Sequence, residues 1–181
     1  MDASACLAGR RSVRTFNGRQ VDRKVLEEIV ALAAYAPSWK NSQTVSYIAL
    51  TGEKKAKIAE SGIMDHAGNR RNITSAPLLV AAITRKGVAG YNADGGFTTS
   101  KGDRWESFDA GIAVQTLCLA AHIHNVGSVI MGIFDEDKVA EILGLDTGVF
   151  KVAALVAMGY YDGTPQAPKR KPVSELLTIG D

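Results

Sequence analysis

Apolar residues recur at helical spacing near the start of the chain. In residues 22–37 the pattern begins after Asp22, which stands at an N-cap position, and Pro37 ends it. Residues 3–9 are compatible with a second, shorter helix. The apolar positions of the longer helix are Val25, Ile29, Leu32, Ala33 and Ala36. We therefore expect it to bury one face.

Three further helices are predicted downstream. Residues 54–61 favour a short charged helix, and residues 136–143 favour one capped by Asp135. In residues 108–125, small and apolar side chains surround nearly the whole circumference of the predicted helix. A helix of this composition is expected to be buried on all sides, either in a core or at a subunit interface.

Apolar runs between the helices predict a buried sheet. Residues 45–51 and 151–159 are rich in strand formers, and residues 128–133 form a third such run. The continuous run 78–83 is too short for anything but a strand covered on both faces. These strands would form the centre of the fold.

Two segments lack a regular period. Residues 86–103 are rich in glycine and polar side chains, which predicts a long surface loop. Prolines beyond Tyr161 predict an extended tail over residues 162–181. No repeat or interdomain linker interrupts the chain, so 181 residues with 46% hydrophobic content predict one globular domain.

Charge and cysteine content narrow the class of protein. The net charge of +2 is too small to indicate a nucleic-acid binder, and no apolar run reaches the ~18–20 residues of a membrane span. Cys6 and Cys118 offer no disulfide framework, so we expect a reducing, cytoplasmic setting. Basic residues still cluster near both chain ends, which suggests a shared anionic ligand. They are Arg10, Arg11, Arg14, Arg19, Arg23 and Lys24, and then Lys169, Arg170 and Lys171.

The first basic cluster has the donors that bind a phosphate monoester. Arg10, Arg11, Ser12 and Arg14 combine guanidinium groups with a hydroxyl, and charge-assisted hydrogen bonds are the strong ones. A solvated basic helix end is the more common explanation of such a cluster. The polar loop 36–43 is equally open to two interpretations, a ligand-binding loop or an ordinary turn.

Taken together, these motifs resemble the nitroreductase family. Arg10-Arg11-Ser12-x-Arg14-x-Phe16 is followed by a helix and then by Ala36-Pro37-Ser38-x-x-Asn41-x-Gln43 before a strand. The resemblance continues in order through the rest of the chain. Its later motifs are Phe108-Asp109-Ala110-Gly111, Met131-Gly132, Met158-Gly159-Tyr160 and Arg170-Lys171-Pro172.

The resemblance implies an α+β fold, a three-layer α/β/α sandwich around a central mixed, mainly antiparallel sheet. It implies a homodimer with FMN at the subunit interface, helix 108–125 at the dimer core and a tail that reaches the partner. NAD(P)H would be the electron donor, and nitroaromatics, quinones or related compounds would be reduced by ping-pong hydride transfer. Flavin N5 would carry the chemistry, so no catalytic side chain is implied.

The resemblance also assigns individual residues to FMN. Arg14 matches a cation beside the flavin pyrimidine, where it would stabilise the negative charge of the reduced ring. The backbone N–H groups of Met131 and Gly132 match the stretch at flavin N5, and Arg71 is a looser match to the pyrimidine edge. The phosphate positions are Arg10, Ser12 and Arg170, with Arg11 and Lys169 beside them. The partner-subunit loop is Pro37, Ser38, Trp39 and Asn41.

The chain departs from the family pattern in two places. Asn41-Ser42-Gln43-Thr44-Val45 stands where the family usually continues Asn-x-Gln-Pro-Trp. The chain is also short, which leaves residues 87–105 to wall a substrate pocket. Three alternatives stay open. They are a flavin enzyme of the same fold that performs reductive dehalogenation or flavin destruction, a non-catalytic flavin-binding protein, and a nucleic-acid-binding module.

Other chemically notable residues favour packing roles. His122 and His124 lie two positions apart, so they point to different sides of a helix and do not suggest a metal pair. Cys118 lies within an apolar helix and is expected to be a core residue rather than a nucleophile. Trp105 and Phe97 are interpreted either as substrate-stacking residues or as interface residues.

Overall fold

Helices and strands are distributed along the whole chain before the tail. The computed structural model describes residues 2–180, and within this range six α-helices and four β-strands form the fold. The strands are β1 (Val45–Leu50), β2 (Leu78–Arg85), β3 (Gly127–Met131) and β4 (Phe150–Gly159). The helices are α1 (Ala3–Gly9), α2 (Arg23–Ala33), α3 (Gly52–Lys57), α4 (Ala67–Ser75), α5 (Arg104–Ile123) and α6 (Glu136–Leu143).

The four strands form one sheet in the order β1-β2-β4-β3, and every neighbouring pair is antiparallel. Ser12 adds an isolated parallel bridge to Ser128 on the outer side of β3. The predicted mixed, mainly antiparallel sheet is therefore confirmed. Strand β1 forms the opposite edge of the sheet.

Side chains on β2 alternate between two hydrophobic cores, one on each face of the sheet. Leu79 and Ala81 pack with residues of α4, α6 and the π-helical turn Ile58–Gly62, which continues α3. Leu78 and Val80 pack with residues of α2 and α5. All residues of β2 except the last are buried. This arrangement confirms the strand covered on both faces and the three-layer sandwich.

Helix α4 was not predicted from the sequence because its composition gives no apolar period. Its buried positions include Asn69 and Asn72, which apolar patterning does not detect, beside Ile73. Polar contacts fix the helix instead. The His66 side chain accepts a hydrogen bond from Asn69 N at 3.0 Å, and Asn69 Nδ2 donates to the Ile133 carbonyl at 3.1 Å.

Several predicted boundaries were wrong, including the end of α2, which lies at Ala33 rather than at Ala36. Helix α5 begins at Arg104 rather than at residue 108, because the polar Glu106 is buried and anchors the first turn. Strand β3 ends at Met131 rather than at residue 133, and its last residues pair with β4 only as far as Leu155. Asp22 does stand at the N-cap of α2, although its side chain makes no capping hydrogen bond.

Helix α5 is not buried on all sides within the single chain, so its burial at a subunit interface stays a prediction. Its side towards the sheet is buried, but a stripe at helical spacing stays exposed or half-buried along the other side. The members of this open face are Gly111, Ile112, Gln115, Thr116, Leu119 and Ile123. Sequence composition could not separate a core helix from one that leaves an apolar face for a partner.

Candidate functional site

The Arg-rich segment contacts the start of strand β3. Helix α1 ends at Gly9, and Arg10 N donates to the Cys6 carbonyl at 3.1 Å. Val13 N then donates to the Ser128 carbonyl at 3.0 Å, and the Val13 side chain is buried. Because side chains alternate in extended backbone, the exposed Ser12 and Arg14 point away from the Val13 side.

The bridge between Ser12 and Ser128 connects the Arg-rich segment to the strand that ends at Met131, although the two are far apart in the sequence. Met131 follows Ser128 by three residues, so the end of β3 lies roughly 10 Å along the strand from the Ser12 bridge. A Cβ built on the next residue, Gly132, meets no atom within 4 Å. In the described chain, no backbone hydrogen bond uses the Gly132 N–H. The Ser12 bridge and the Gly132 N–H thus lie near opposite ends of β3.

Gly127 permits the close packing of this segment on β3. A Cβ there would lie 2.8 Å from Val13 Cγ2 and 2.6 Å from Tyr161 Cδ1. We expect Gly127→Ala to lower the free energy of unfolding by about 1–3 kcal/mol, because the segment must shift to admit the methyl group. Urea unfolding of both proteins measures the change. Unchanged stability would show that Val13 does not fix the segment.

Two of the arginines carry charge that no neighbouring acid neutralises. Within residues 2–180, no carboxylate lies within ion-pair distance of Arg10 or Arg14. Arg11 differs, because its Nη1 donates to the Ala8 and Arg10 carbonyls and closes the end of α1. Arg10 and Arg14 are therefore the better candidates for binding an anion.

The C-terminal end of α5 packs beneath the same segment. A Cβ on Gly9 would lie 2.9 Å from His122 Nε2. Burial lowers the pKa of His122, and the charges of Arg10 and Arg11 lower it further. His124 instead lies 3.6 Å from a Glu28 carboxylate oxygen, so the two histidines have separate surroundings. No cluster of metal-ligating side chains occurs among the described residues.

The other predicted FMN-binding loop lies at the opposite end of α5. Trp39 N donates to Asp109 Oδ2 at 2.8 Å, and Gln43 N donates to Ser38 Oγ at 3.0 Å. Lys40, Asn41 and Gln43 all adopt positive φ angles, which side chains with a Cβ rarely do. Asp109 thus helps to hold a strained loop, which is typical of ligand-binding segments.

Burial raises the pKa of Asp109, although the hydrogen bond from Trp39 acts in the opposite direction. The folded state therefore becomes less stable as the pH rises above the usual Asp pKa of 3.8, because Asp109 must then ionise while it is buried. Asp109→Asn keeps an oxygen acceptor without the charge. We expect the stability of Asp109→Asn relative to the unmodified protein to increase from pH 3.5 until Asp109 is ionised, and then to level off. Urea unfolding across pH 3.5–7.5 tests this expectation, and a difference that stays constant or decreases would contradict it.

The two regions cannot meet within one chain. Asp109 contacts the loop and His122 contacts the Arg-rich segment, and thirteen residues of helix separate them, roughly 20 Å at 1.5 Å per residue. The sequence-based expectation that the loop comes from a second copy is compatible with this separation and stays a prediction. The roles of Pro37, Ser38, Trp39 and Asn41 accordingly stay predictions.

The basic residues of the tail are exposed, and the polar contacts found for them are local. Asn17 Nδ2 donates to Asp162 Oδ1 at 3.1 Å, which places the root of the tail beside the Arg-rich segment. Further along, the hydrogen bond of Arg170 is local, from Nη1 to the Pro168 carbonyl at 3.4 Å. Lys171 pairs with Glu175. The assignment of Lys169 and Arg170 to a phosphate stays a prediction.

Sequence reasoning missed two buried amides near the end of β3. Asn69 binds the Ile133 carbonyl, and Asn72 lies one turn further along the same face of α4 with its buried Oδ1 unpartnered. Arg71 is exposed and lies on another side of the helix, so its flavin contact stays a prediction. The spacing Asn-x-x-Asn is the one sequence signal that could have indicated this polar face.

The residues present fit FMN in chemical type. Arg10, Ser12 and Arg14 offer charged and hydroxyl donors for a phosphate, and Gly132 offers an uncommitted N–H. Asn72 Oδ1 is buried without a hydrogen-bond partner, which costs about 1–3 kcal/mol.

Two residues suggested by the sequence are placed clearly by the structure. Cys118 is buried in α5, and burial raises the pKa of its thiol, so it has the character of a core residue rather than of a nucleophile. The Trp105 ring packs against that of Trp39, with ring centroids 4.8 Å apart and an angle of 48° between the ring planes. None of the described helices is long and apolar enough to cross a membrane, and the cytoplasmic setting stays a prediction.

Comparison with known proteins identifies the family. The model of the nitroreductase family matches residues 7–65 and 64–160. A provisionally named NAD(P)H nitroreductase of Streptococcus pyogenes serotype M6 is 27% identical over 193 residues, covering 93% of this chain and 94% of the relative.

Solved structures agree with the sequence comparison. A nitroreductase family protein from Streptococcus pneumoniae TIGR4 superposes with a TM-score of 0.85 at 22% identity, covering 98% of this chain and all of the other. An oxidoreductase containing FMN superposes with a TM-score of 0.81 at 26% identity, covering 100% and 93% of the two chains. The family match extends over the Arg-rich segment, the loop and strands β1 to β4. The chain therefore belongs to the nitroreductase family.

Proposed function

We propose that the protein is an FMN-dependent oxidoreductase that uses NAD(P)H to reduce nitroaromatics, quinones or related acceptors. The observation that carries the proposal is the Arg10–Arg14 segment bridged to the start of β3, the strand after whose end Gly132 has an N–H that no backbone hydrogen bond of the described residues uses. The FMN of a 26% identical oxidoreductase supports the choice of cofactor. The name of the Streptococcus pyogenes relative supports NAD(P)H as the donor.

The residues of this chain would bind and orient the cofactor rather than react themselves. Arg10, Ser12 and Arg170 would hold the phosphate through charged and hydroxyl hydrogen bonds. The Gly132 N–H would donate to flavin N5, and the cation of Arg14 would stabilise negative charge on the pyrimidine. When bound, FMN supplies a ring that takes up a hydride and passes two electrons to an acceptor.

A homodimer completes the proposed site. The loop that contains Trp39 is too far from Arg10 in one chain, and the open face of α5 leaves Leu119 and Ile123 for a partner to cover. A groove of about 680 Å³ lies between α2 and β1 and has a mainly apolar lining. The tail exposes apolar side chains that suit such a groove on a second copy. They are Val173, Leu176, Leu177 and Ile179.

The visible spectrum and steady-state kinetics of the purified protein test the proposal. We expect flavin absorbance or uptake of added FMN, and oxidation of NAD(P)H with a quinone. Because one ring face serves both substrates, double-reciprocal plots should give the parallel lines of a ping-pong mechanism. Bound flavin without turnover would favour a carrier protein or another electron-transfer role. A protein that does not bind FMN would overturn the proposal.

A further inference from the structure

Three aromatic rings form a continuous cluster where the Trp39 loop meets the start of α5. The ring centroids of Trp39 and Trp105 are 4.8 Å apart, and those of Trp105 and Phe108 are 5.2 Å apart. Phe108 lies beyond the N-terminal end of the open face of α5, with 51% of its surface exposed. Exposed aromatic surface next to a candidate site is typical of ligand contact. We call these three residues the aromatic cluster.

Positive charge surrounds the aromatic cluster. Lys101 Nζ lies 4.3 Å from the centroid of the Trp105 ring and 5.2 Å from that of Phe108. Lys40 Nζ lies 5.5 Å from the centroid of the Trp39 ring. These distances allow cation–π attraction, which keeps the ammonium groups over the rings without neutralising them.

Nearby acids do not neutralise this charge. In the part of the chain that the structure describes, neither Lys40 nor Lys101 forms an ion pair. Glu106 is paired with Lys151, and the buried Asp109 accepts a hydrogen bond from Trp39 N. Asp103 is exposed and makes no ion pair with Lys101. The lysines therefore keep their capacity to bind an anion.

The segment that carries Lys101 is held in place by its neighbours. The Lys101 carbonyl accepts hydrogen bonds from Arg104 N at 3.2 Å and Arg104 Nε at 3.0 Å. Trp105 Nε1 donates to Thr99 Oγ1 at 3.0 Å. A fixed backbone lowers the entropy that Lys101 would lose on binding a ligand. Both side-chain hydrogen bonds of Arg104 go to backbone carbonyls, which do not neutralise its charge. Arg104 therefore adds to the local positive charge.

We infer that the aromatic cluster with Lys101 binds the electron acceptor and selects planar aromatic compounds that carry an anionic substituent. This inference rests on the proposed function, in which the loop of Trp39 lies against the flavin of the partner. Phe108 and Trp105 would stack on the acceptor ring, and the Lys101 ammonium would bind its carboxylate or sulfonate. The lysine would act as a specificity-determining residue, not as a catalytic one.

Two compounds of similar size distinguish the contribution of ligand charge to binding from that of ring stacking. Both 4-nitrobenzenesulfonate and its neutral sulfonamide offer a nitro group. The protein has two tryptophans, Trp39 and Trp105, and both belong to the aromatic cluster, so quenching of tryptophan fluorescence reports binding without turnover. We expect the sulfonate to bind about fivefold more tightly than the sulfonamide, as one exposed charged contact allows.

Variants identify the side chain that causes the preference for the sulfonate. Lys101→Gln should remove the preference for the sulfonate and leave sulfonamide binding within twofold, while Lys101→Arg should keep the preference. Phe108→Ala should weaken both ligands alike. Lys54→Gln changes an exposed lysine on α3 and serves as the matched control. Equal affinity for the two compounds in the unmodified protein, or equal weakening of both by Lys101→Gln, would overturn the inference.

Kinetics distinguish this inference from the proposed function. Reduction of the nitro group to nitroso consumes one NADH and one proton and releases water and NAD⁺. Lys101→Gln should raise the KM for the sulfonate about fivefold with kcat unchanged. A rise in the KM for NADH instead would assign Lys101 to the nicotinamide donor and overturn the inference. Absence of FMN or of turnover would refute the proposed function, while the fluorescence titration would still decide the acceptor preference.

Discussion

Replacing Glu106 with alanine is expected to lower the free energy of unfolding by about 3–5 kcal/mol, because it leaves a partly buried ammonium without its partner. Glu106 is 2% exposed, and its Oε2 lies 2.6 Å from Lys151 Nζ. Its other oxygen accepts a hydrogen bond from Gly87 N at 2.6 Å. One carboxylate thus joins α5, β4 and the start of the loop 86–103.

Urea unfolding measures this effect, with Glu141→Ala as the matched control. Glu141 pairs with Lys138 at a similar distance, 2.7 Å, but the two side chains are 69% and 41% exposed, so loss of this pair should cost at most about 1 kcal/mol. Glu106→Gln can keep the acceptor for Gly87 N and should therefore be less damaging than alanine. Similar small losses for Glu106→Ala and Glu141→Ala would show that the buried pair does not hold the loop.

Arg10→Ala and Arg170→Ala are each expected to weaken FMN binding about 10- to 150-fold, the equivalent of about 1.5–3 kcal/mol for one charged hydrogen bond. Arg10 lies at the end of α1 beside β3, and no carboxylate among the described residues competes for its guanidinium group. Loss of either arginine removes a donor without creating a buried cavity, since both have exposed surface. Flavin fluorescence titration gives the dissociation constants.

Arg23→Ala provides the control for lost positive charge. Arg23 is exposed on α2 and pairs with Glu27 at 2.7 Å, away from the candidate site. Its substitution should change FMN affinity by less than twofold once salt screens long-range attraction. If Arg10→Ala and Arg170→Ala both bind FMN as tightly as the unmodified protein, the phosphate assignment is wrong. If only Arg10→Ala weakens FMN binding, the assignment of Arg170 to the phosphate is wrong and that of Arg10 stands.

The sequence predicted those parts of the fold in which periodicity reports burial. Strand β2 is a continuous apolar run and is buried as expected, and α6 begins where Asp135 caps it, with Lys138 N donating to Asp135 Oδ1. Helix α4 was not predicted, because two of its three buried side chains are amides and give no apolar period. The start of α5 was predicted too late in the chain, because the hydrophobic pattern does not detect a buried charged residue such as Glu106.

The candidate site was predicted as a list of residues, not as an arrangement. Motif spacing nominated Arg10 and Gly132, and only the bridge from Ser12 to Ser128 shows that their segments contact the same strand, β3. Motif spacing could not show that the Trp39 loop lies at the opposite end of α5 from the Arg-rich segment. Nor could it indicate that Lys101 lies over the rings of Trp105 and Phe108.

By itself, the sequence determined the local conformations and the chemical inventory. Apolar periods of two and 3.6 residues, caps and prolines set the helices and strands, since these depend on neighbours within a few positions. Only the tertiary structure decided which distant groups meet. Strand pairing placed the Arg-rich segment on β3, and the length of α5 separated it from the Trp39 loop. The physical reason is that such contacts depend on packing between segments far apart in the chain, which no local pattern encodes.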